Sequence, residues 1–298
     1  SNRNVKERDT NWTKRALSSC DNADAVIFHK YSPMGIDGRK EKKNVTAGEE
    51  GLTYVRTGPD QLAEYQKWEI ELLRDPYDYG NMIGTALYSA TKVSELNVPD
   101  HMDIWVTEFN IRDDDGALRG TWANTMALAM WYKVFLDHPQ VKLTNYHNIT
   151  GGVFPAIYTS ENGLSHIKYK NIESEPWTLS ASGVLIHIIA ETISEAKEVE
   201  KINFSSYIQL KNDAGEKFDG LSGWIFRKEN AESGLIFNLS NSPTEINVSD
   251  ISRTYTAQQY VSNLENYISG LKSLEIFELK NNRHVKLAPF SITCFNFE

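Results

Sequence analysis

Glu108 sits where a carboxylate could do covalent or acid–base chemistry. It lies near the end of the run Ile104-Trp105-Val106-Thr107-Glu108-Phe109-Asn110, which reads as a buried strand closing in polar residues. A carboxylate at such a strand end projects toward the carboxyl edge of a sheet, where parallel α/β folds build their active sites. Burying it without a partner is costly, so it is either half of a structural ion pair or a reacting group. Two further strand ends carry polar groups. His29 and Tyr31 follow the run Asp24-Ala25-Val26-Ile27-Phe28, and His147 with Asn148 close the run that starts at Val141. A single histidine at a strand end is more often structural than catalytic. Three successive strands that each end in polar groups point instead to one shared site.

The elements that would position these residues alternate in type over the first 196 residues. A strand is expected from Asp24 to His29, broken by Tyr31-Ser32-Pro33-Met34-Gly35. A charged, glycine-punctuated loop to about residue 58 includes the cluster Lys40-Glu41-Lys42-Lys43, which reads as a solvated surface. Helices are expected from Pro59-Asp60 to Arg74 (Leu62, Tyr65, Glu69 and Leu72 on one face) and from Asn81 to Leu96. After the Glu108 strand come a helix from Thr121 to Asp137, a strand from Val141 to His147 and a helix from Trp177 to Ile193. Strand and helix alternating at this spacing indicate βα units and a parallel sheet. Trp122 and Trp177 open two of these helices; each could stack on a sugar ring, but the helix context reads them as core.

From Lys201 the texture changes to short alternating runs: Tyr207–Leu210, Gly223–Phe226, Gly234–Leu239 and Ser291–Phe297, separated by Asn, Ser and Gly. These read as an antiparallel β-domain over residues 197–298, of sandwich type. The chain has 298 residues, more than one core usually serves, so two domains are expected.

Composition narrows the function. With 31 Lys+Arg against 40 Asp+Glu the net charge is −9, which argues against a nucleic-acid partner or an anionic membrane surface. No run approaches the roughly 18 apolar residues of a membrane helix. Cys20 and Cys294 are too few for a disulfide framework or a four-cysteine zinc site. Asp113-Asp114-Asp115-Gly116 lacks the alternation and the distal Glu of an EF-hand and reads as a solvated turn, so no metal is expected. The first residues, Ser1-Asn2-Arg3-Asn4, carry neither Met nor an apolar leader core; they read as a cut end, with more chain expected upstream.

The Trp105-Val106-Thr107-Glu108-Phe109-Asn110 run resembles the nucleophile strand of clan-A retaining glycoside hydrolases, and Asp24 to Pro33 is similar to their sixth strand, with its His and Tyr. The trailing helix and β-domain resemble the α-L-arabinofuranosidase-like branch. The resemblance implies a partial (β/α)8 TIM barrel, its last three βα units, followed by an antiparallel β-sandwich. It implies Glu108 as nucleophile, Tyr31 as the hydrogen-bond partner that orients it, and His29, Asn110, His147 and Asn148 as substrate contacts. It also implies a carbohydrate substrate, no cofactor, and a secreted or periplasmic setting. One departure weighs against a complete enzyme. Retaining glycosidases need a second carboxyl group, in this clan a Glu following Asn. No Asn-Glu follows an apolar run upstream of Glu108; Glu7 and Asp9 stand in a polar segment. The expectation is therefore the C-terminal portion of a hydrolase, whose acid/base is supplied by more chain or by a partner chain. The alternative is a non-catalytic carbohydrate-binding or scaffold protein derived from such a barrel. Open sheet edges also make a homo-oligomer an expectation.

Overall fold

In the computed structural model, residues 12–20, 22–33, 73, 76–112, 118–150, 155–159, 174–204, 208–212, 214–247, 254–280 and 284–297 are described. The helix expected over 59–74 (Leu73 apart), the Lys40–Lys43 cluster, Glu7, Asp9 and Asp113–Gly116 lie outside them.

After a short helix, α1 (Trp12–Leu17), three strands form a parallel sheet in the order β1 (Ala25–Pro33), β2 (Asp103–Arg112), β3 (Val141–Tyr146). β1 does not break at Tyr31 as expected but runs on through Pro33. It is an outer strand of the sheet, the place where a proline is tolerated. The helix expected from Asn81 begins earlier, as α2 (Pro76–Thr91), and a separate 3-10 turn covers Ser94–Leu96. Pro76 stands at the first helical position, where its missing N–H leaves no gap.

One face of the parallel sheet is covered by α3 (Trp122–Asp137). Phe109 meets Trp131, Tyr132 and Phe135 at ring-centroid distances of 5.6, 5.4 and 5.0 Å. α3 is buried on most of its faces up to Phe135, as a helix with neighbours nearly all round must be. Its first amides donate to the carbonyls of Asn266 and Leu264, at 2.9 Å each, so the C-terminal half of the chain satisfies its N-terminus.

The other face is open. Ile27 pairs with Trp105 and Trp105 with Leu143, and these three side chains are 61%, 41% and 40% exposed. The period of two carries this face on to His29 and Tyr31 in β1.

β4 (Ile157–Tyr158) and β5 (Thr178–Leu179) form a small ribbon before α4 (Ala181–Ile193). The last helix thus starts at Ala181, not Trp177. Ser180 caps it, its side chain accepting from the Gly183 amide at 3.1 Å. Gly183 is required by space: a Cβ there would lie 1.9 Å from the Ala156 carbonyl oxygen.

The rest is antiparallel. A six-stranded sheet runs β13 (Glu275–Lys280), β12 (Tyr255–Val261), β15 (Ser291–Phe297), β10 (Glu232–Asn238), β9 (Leu221–Arg227), β6 (Glu198–Lys201). Two ribbons accompany it: β7 (Gln209–Lys211) with β8 (Lys217–Asp219), and β11 (Thr244–Asn247) with β14 (His284–Leu287). Trp224, Leu235, Phe237 and Ile292 of the large sheet share one core with α3 and α4. Ile236, Phe295 and Phe297 form a second core with Ile246, Val285 and Leu287 of the β11–β14 ribbon. Asp137 joins the halves at the end of α3, accepting from the Trp224 indole at 2.9 Å and pairing with Lys201 at 2.6 Å.

Candidate active site

A β-bulge builds the site. β1 and β2 run in step to Phe28 opposite Val106, then His29 stands opposite Glu108, so Thr107 is an extra residue. β3 shows the same excess: Thr107 and Glu108 occupy the space between Val106 (opposite Thr144) and Phe109 (opposite Tyr146). Bulges bend a strand and re-aim its side chains. Here His29 is within reach of both extra-register neighbours: its Nε2 is hydrogen-bonded to the Thr107 hydroxyl, and its Nδ1 lies 4.0 Å from Glu108 Oε2.

Tyr31 donates from its hydroxyl to the same Glu108 oxygen, Oε2, at 2.8 Å. Both contacts of the carboxylate are therefore made through Oε2, and Oε1 has no hydrogen bond among the described residues. At 40% exposure, Glu108 is accessible to a ligand without being a freely rotating surface group. No lysine or arginine ion pair is recorded for it among the described residues, so its partners are a phenol and an imidazole.

His147 lies beside Tyr31, the rings edge-on with centroids 6.0 Å apart. Its Nδ1 and the Oδ1 of Asn148 are buried and make no hydrogen bond. Buried polar atoms with unspent capacity are uncommon and call for a ligand, a water or a functional reason. Asn110 is placed differently. It is 1% exposed, its amide donates to the His147 carbonyl, and its Oδ1 accepts from the Ile111 amide at 2.6 Å. Both ends of its side chain thus bind backbone, tying the end of β2 to the end of β3.

Beneath Asn110 is a polar layer. Burial pushes the Tyr146 hydroxyl up to about 12, against the lowering influence of nearby Ser182, Asn110 and Arg119. Tyr158, nearby, is likewise raised by burial. These groups are neutral props for the strand ends rather than proton carriers.

Sequence reasoning missed Thr107, since no composition marks a bulge. It also misjudged Trp177. Trp122 is fully buried as expected, but Trp177 is 75% exposed and held at φ +62°. It lies on the connection between the end of β3 and the start of α4, at the carboxyl edge of the sheet. A left-handed backbone is uncommon for so large a residue, and what it gains here is an open indole face. No group of three or more His, Cys, Asp or Glu that could hold a metal occurs among the described residues.

Neither a family model nor a curated protein sequence matches the chain. Solved structures do. A family 51 α-L-arabinofuranosidase from Bifidobacterium longum is 15% identical with a TM-score of 0.56; 96% of this chain covers 55% of it. The GH51 arabinofuranosidase from Xanthomonas axonopodis pv. citri is 11% identical with a TM-score of 0.53, 98% of this chain covering 56% of it. A further arabinofuranosidase is 13% identical with a TM-score of 0.52. The chain thus spans about half the length of the structures it matches. At these identities the likeness is one of fold, the fold of the matching half of these α-L-arabinofuranosidases.

Proposed function

We propose that this chain is the C-terminal portion of a retaining glycoside hydrolase, arabinofuranosidase-like, acting on plant or algal polysaccharide or oligosaccharide outside the cytoplasm. Its parallel sheet is then the last three βα units of a TIM barrel, up to about residue 196, and residues 197–298 are the β-sandwich. The observation that carries the reading is the Tyr31 hydroxyl on Glu108 Oε2 at 2.8 Å, at the carboxyl edge of a parallel sheet. A nucleophilic carboxylate needs one oxygen held and one free, and this contact supplies that arrangement. Glu108 Oε1 attacks the anomeric carbon, the leaving oxygen is protonated by an acid outside this chain, and water then releases the sugar with retained configuration. His147 and Asn148 stand at the end of β3 beside Tyr31 as substrate contacts, and Trp177 has the open ring to meet a sugar face. Asn110 serves by holding the strand ends.

The second carboxyl group would arrive with the polypeptide that covers the open face of Ile27, Trp105 and Leu143. Without it the chain alone should turn over ordinary substrates poorly. The test uses an aryl α-L-arabinofuranoside with a leaving group acidic enough to depart unaided, with sodium azide as the external nucleophile. Azide should accelerate release of the phenol and yield a glycosyl azide of retained configuration, and Glu108→Gln should abolish both. Sugar affinity with no azide product would favour the non-catalytic scaffold reading. Absence of both affinity and product would overturn the hydrolase reading.

A further inference from the structure

Thr107 makes a contact that a nucleophile strand does not obviously need. The bulge leaves Thr107 and Glu108 jointly opposite His29, and each engages a different nitrogen of the ring: the hydroxyl on Nε2, the carboxylate facing Nδ1 at 4.0 Å. An ionised carboxylate only accepts, a neutral imidazole carries one N–H, and a threonine hydroxyl can donate or accept. The Thr107 bond accommodates either tautomer, but only one of them turns a donor toward the carboxylate. Nδ1 carries the hydrogen toward Glu108, Nε2 is bare, and Thr107 donates to it. The reverse assignment would set the Nδ1 lone pair against the carboxylate.

We propose that Thr107 is a positioning residue: through its hydrogen bond to Nε2 it holds His29 as the Nδ1–H tautomer, so that two donors, Tyr31 O–H and His29 Nδ1–H, face the same oxygen of Glu108. Free histidine in water favours the opposite tautomer, so the preference has to be imposed locally. The gap of 4.0 Å closes with a small tilt of the ring or with one bridging water. The result is an asymmetric carboxylate, with Oε2 bonded by Tyr31 and faced by the Nδ1–H of His29. The catalytic meaning of this rests on Glu108 being the nucleophile; the tautomer itself does not.

The test reads the tautomer directly. The chain is labelled with 15N-histidine and its ring nitrogens are recorded at about pH 9, where imidazoles are neutral. Loss of one signal set in His29→Gln assigns His29. The wild-type chain and Thr107→Ser should show a protonated Nδ1 and a bare Nε2, and Thr107→Val should shift toward the Nε2–H form. A wild-type His29 in the Nε2–H form overturns the proposal, whatever the variants do, and so does a folded Thr107→Val chain with an unchanged tautomer. A second readout is labelling of Glu108 by a 2-fluoro arabinofuranosyl inactivator. Thr107→Val should slow the labelling step roughly tenfold at unchanged half-saturation, and Thr107→Ser should restore it. If the wild-type chain takes no label, the nucleophile reading fails while the NMR result still decides the role of Thr107.

Discussion

A carboxylate held through one oxygen should lose reactivity, not affinity, when its holder is removed. Tyr31→Phe deletes the donor to Glu108 Oε2 and keeps the ring against His147. It should slow inactivator labelling of Glu108 by roughly tenfold while leaving sugar affinity unchanged, checked by labelling kinetics beside calorimetric titration. Trp177→Ala should do the converse. An indole 75% exposed contributes little to folding, so stability should stay within about 0.5 kcal/mol, while affinity for arabino-oligosaccharides drops by calorimetry. Unchanged affinity would remove Trp177 from the site. Glu108, His29, Tyr31, His147 and Asn148 were legible because strand ends announce themselves as polar residues after an apolar run. What a side chain does there was not legible. Asn110 has the same signature as Glu108, yet it faces inward and spends both polar atoms on backbone.

At the scale of elements, the sharpest dependence lies where α3 ends. Burial opposes the ionised form of Asp137, but hydrogen bonds from Lys201 and Trp224 and the charge of Lys133 outweigh it, so its pKa in the folded chain is lowered. A lowered carboxyl pKa stabilises the fold above the pKa of the unfolded chain, and that stabilisation is lost as the pH falls through the folded value. Thermal melts from pH 7 downward should therefore lose stability through the acid range, and Asp137→Asn should lose less over the same interval. At neutral pH the substitution should cost about 1.5–3 kcal/mol, the range for hydrogen bonds to charged groups. Gly183→Ala tests the docking of α4: with the Ala156 carbonyl 1.9 Å from the added carbon, helix or ribbon must shift, and chemical denaturation should show a clear loss. Most of these elements could be read from periodicity. α3 and β15 fall within a residue of their expected bounds because each is bordered by strong signals, His138-Pro139 in one case and the alternation of Ser291–Phe297 in the other. β11 to β14 were not anticipated: β11, β13 and β14 turn at most two residues inward, and β12 interleaves its buried tyrosines with Thr and Gln, which masks the alternation. The bulge at Thr107 is set by the register of two neighbours and leaves no local pattern.

For the molecule as a whole, the open sheet face sets its behaviour in solution. Three apolar side chains in register, on a sheet whose outer strands β1 and β3 pair with no further strand among the described residues, make a surface that associates. Light scattering should show mass rising above 33.9 kDa with concentration, and Leu143→Lys should return it toward the monomer. A wild-type monomer at all concentrations would mean the face is tolerated in water. The middle of the six-stranded sheet has no such free side among the described residues, although Val199, Ile276 and Phe277 on its outer strands are exposed. Helices wall one face, through Trp224, Leu235 and Phe237, and the β11–β14 ribbon walls the other. The seam between α4 and this sheet is lined by buried apolar side chains, Val184, Leu185 and Ile188 on one side and Leu235, Phe237 and Ile292 on the other. A chain severed within the segment that links α4 to this sheet would bare on each product the apolar side chains that now meet there.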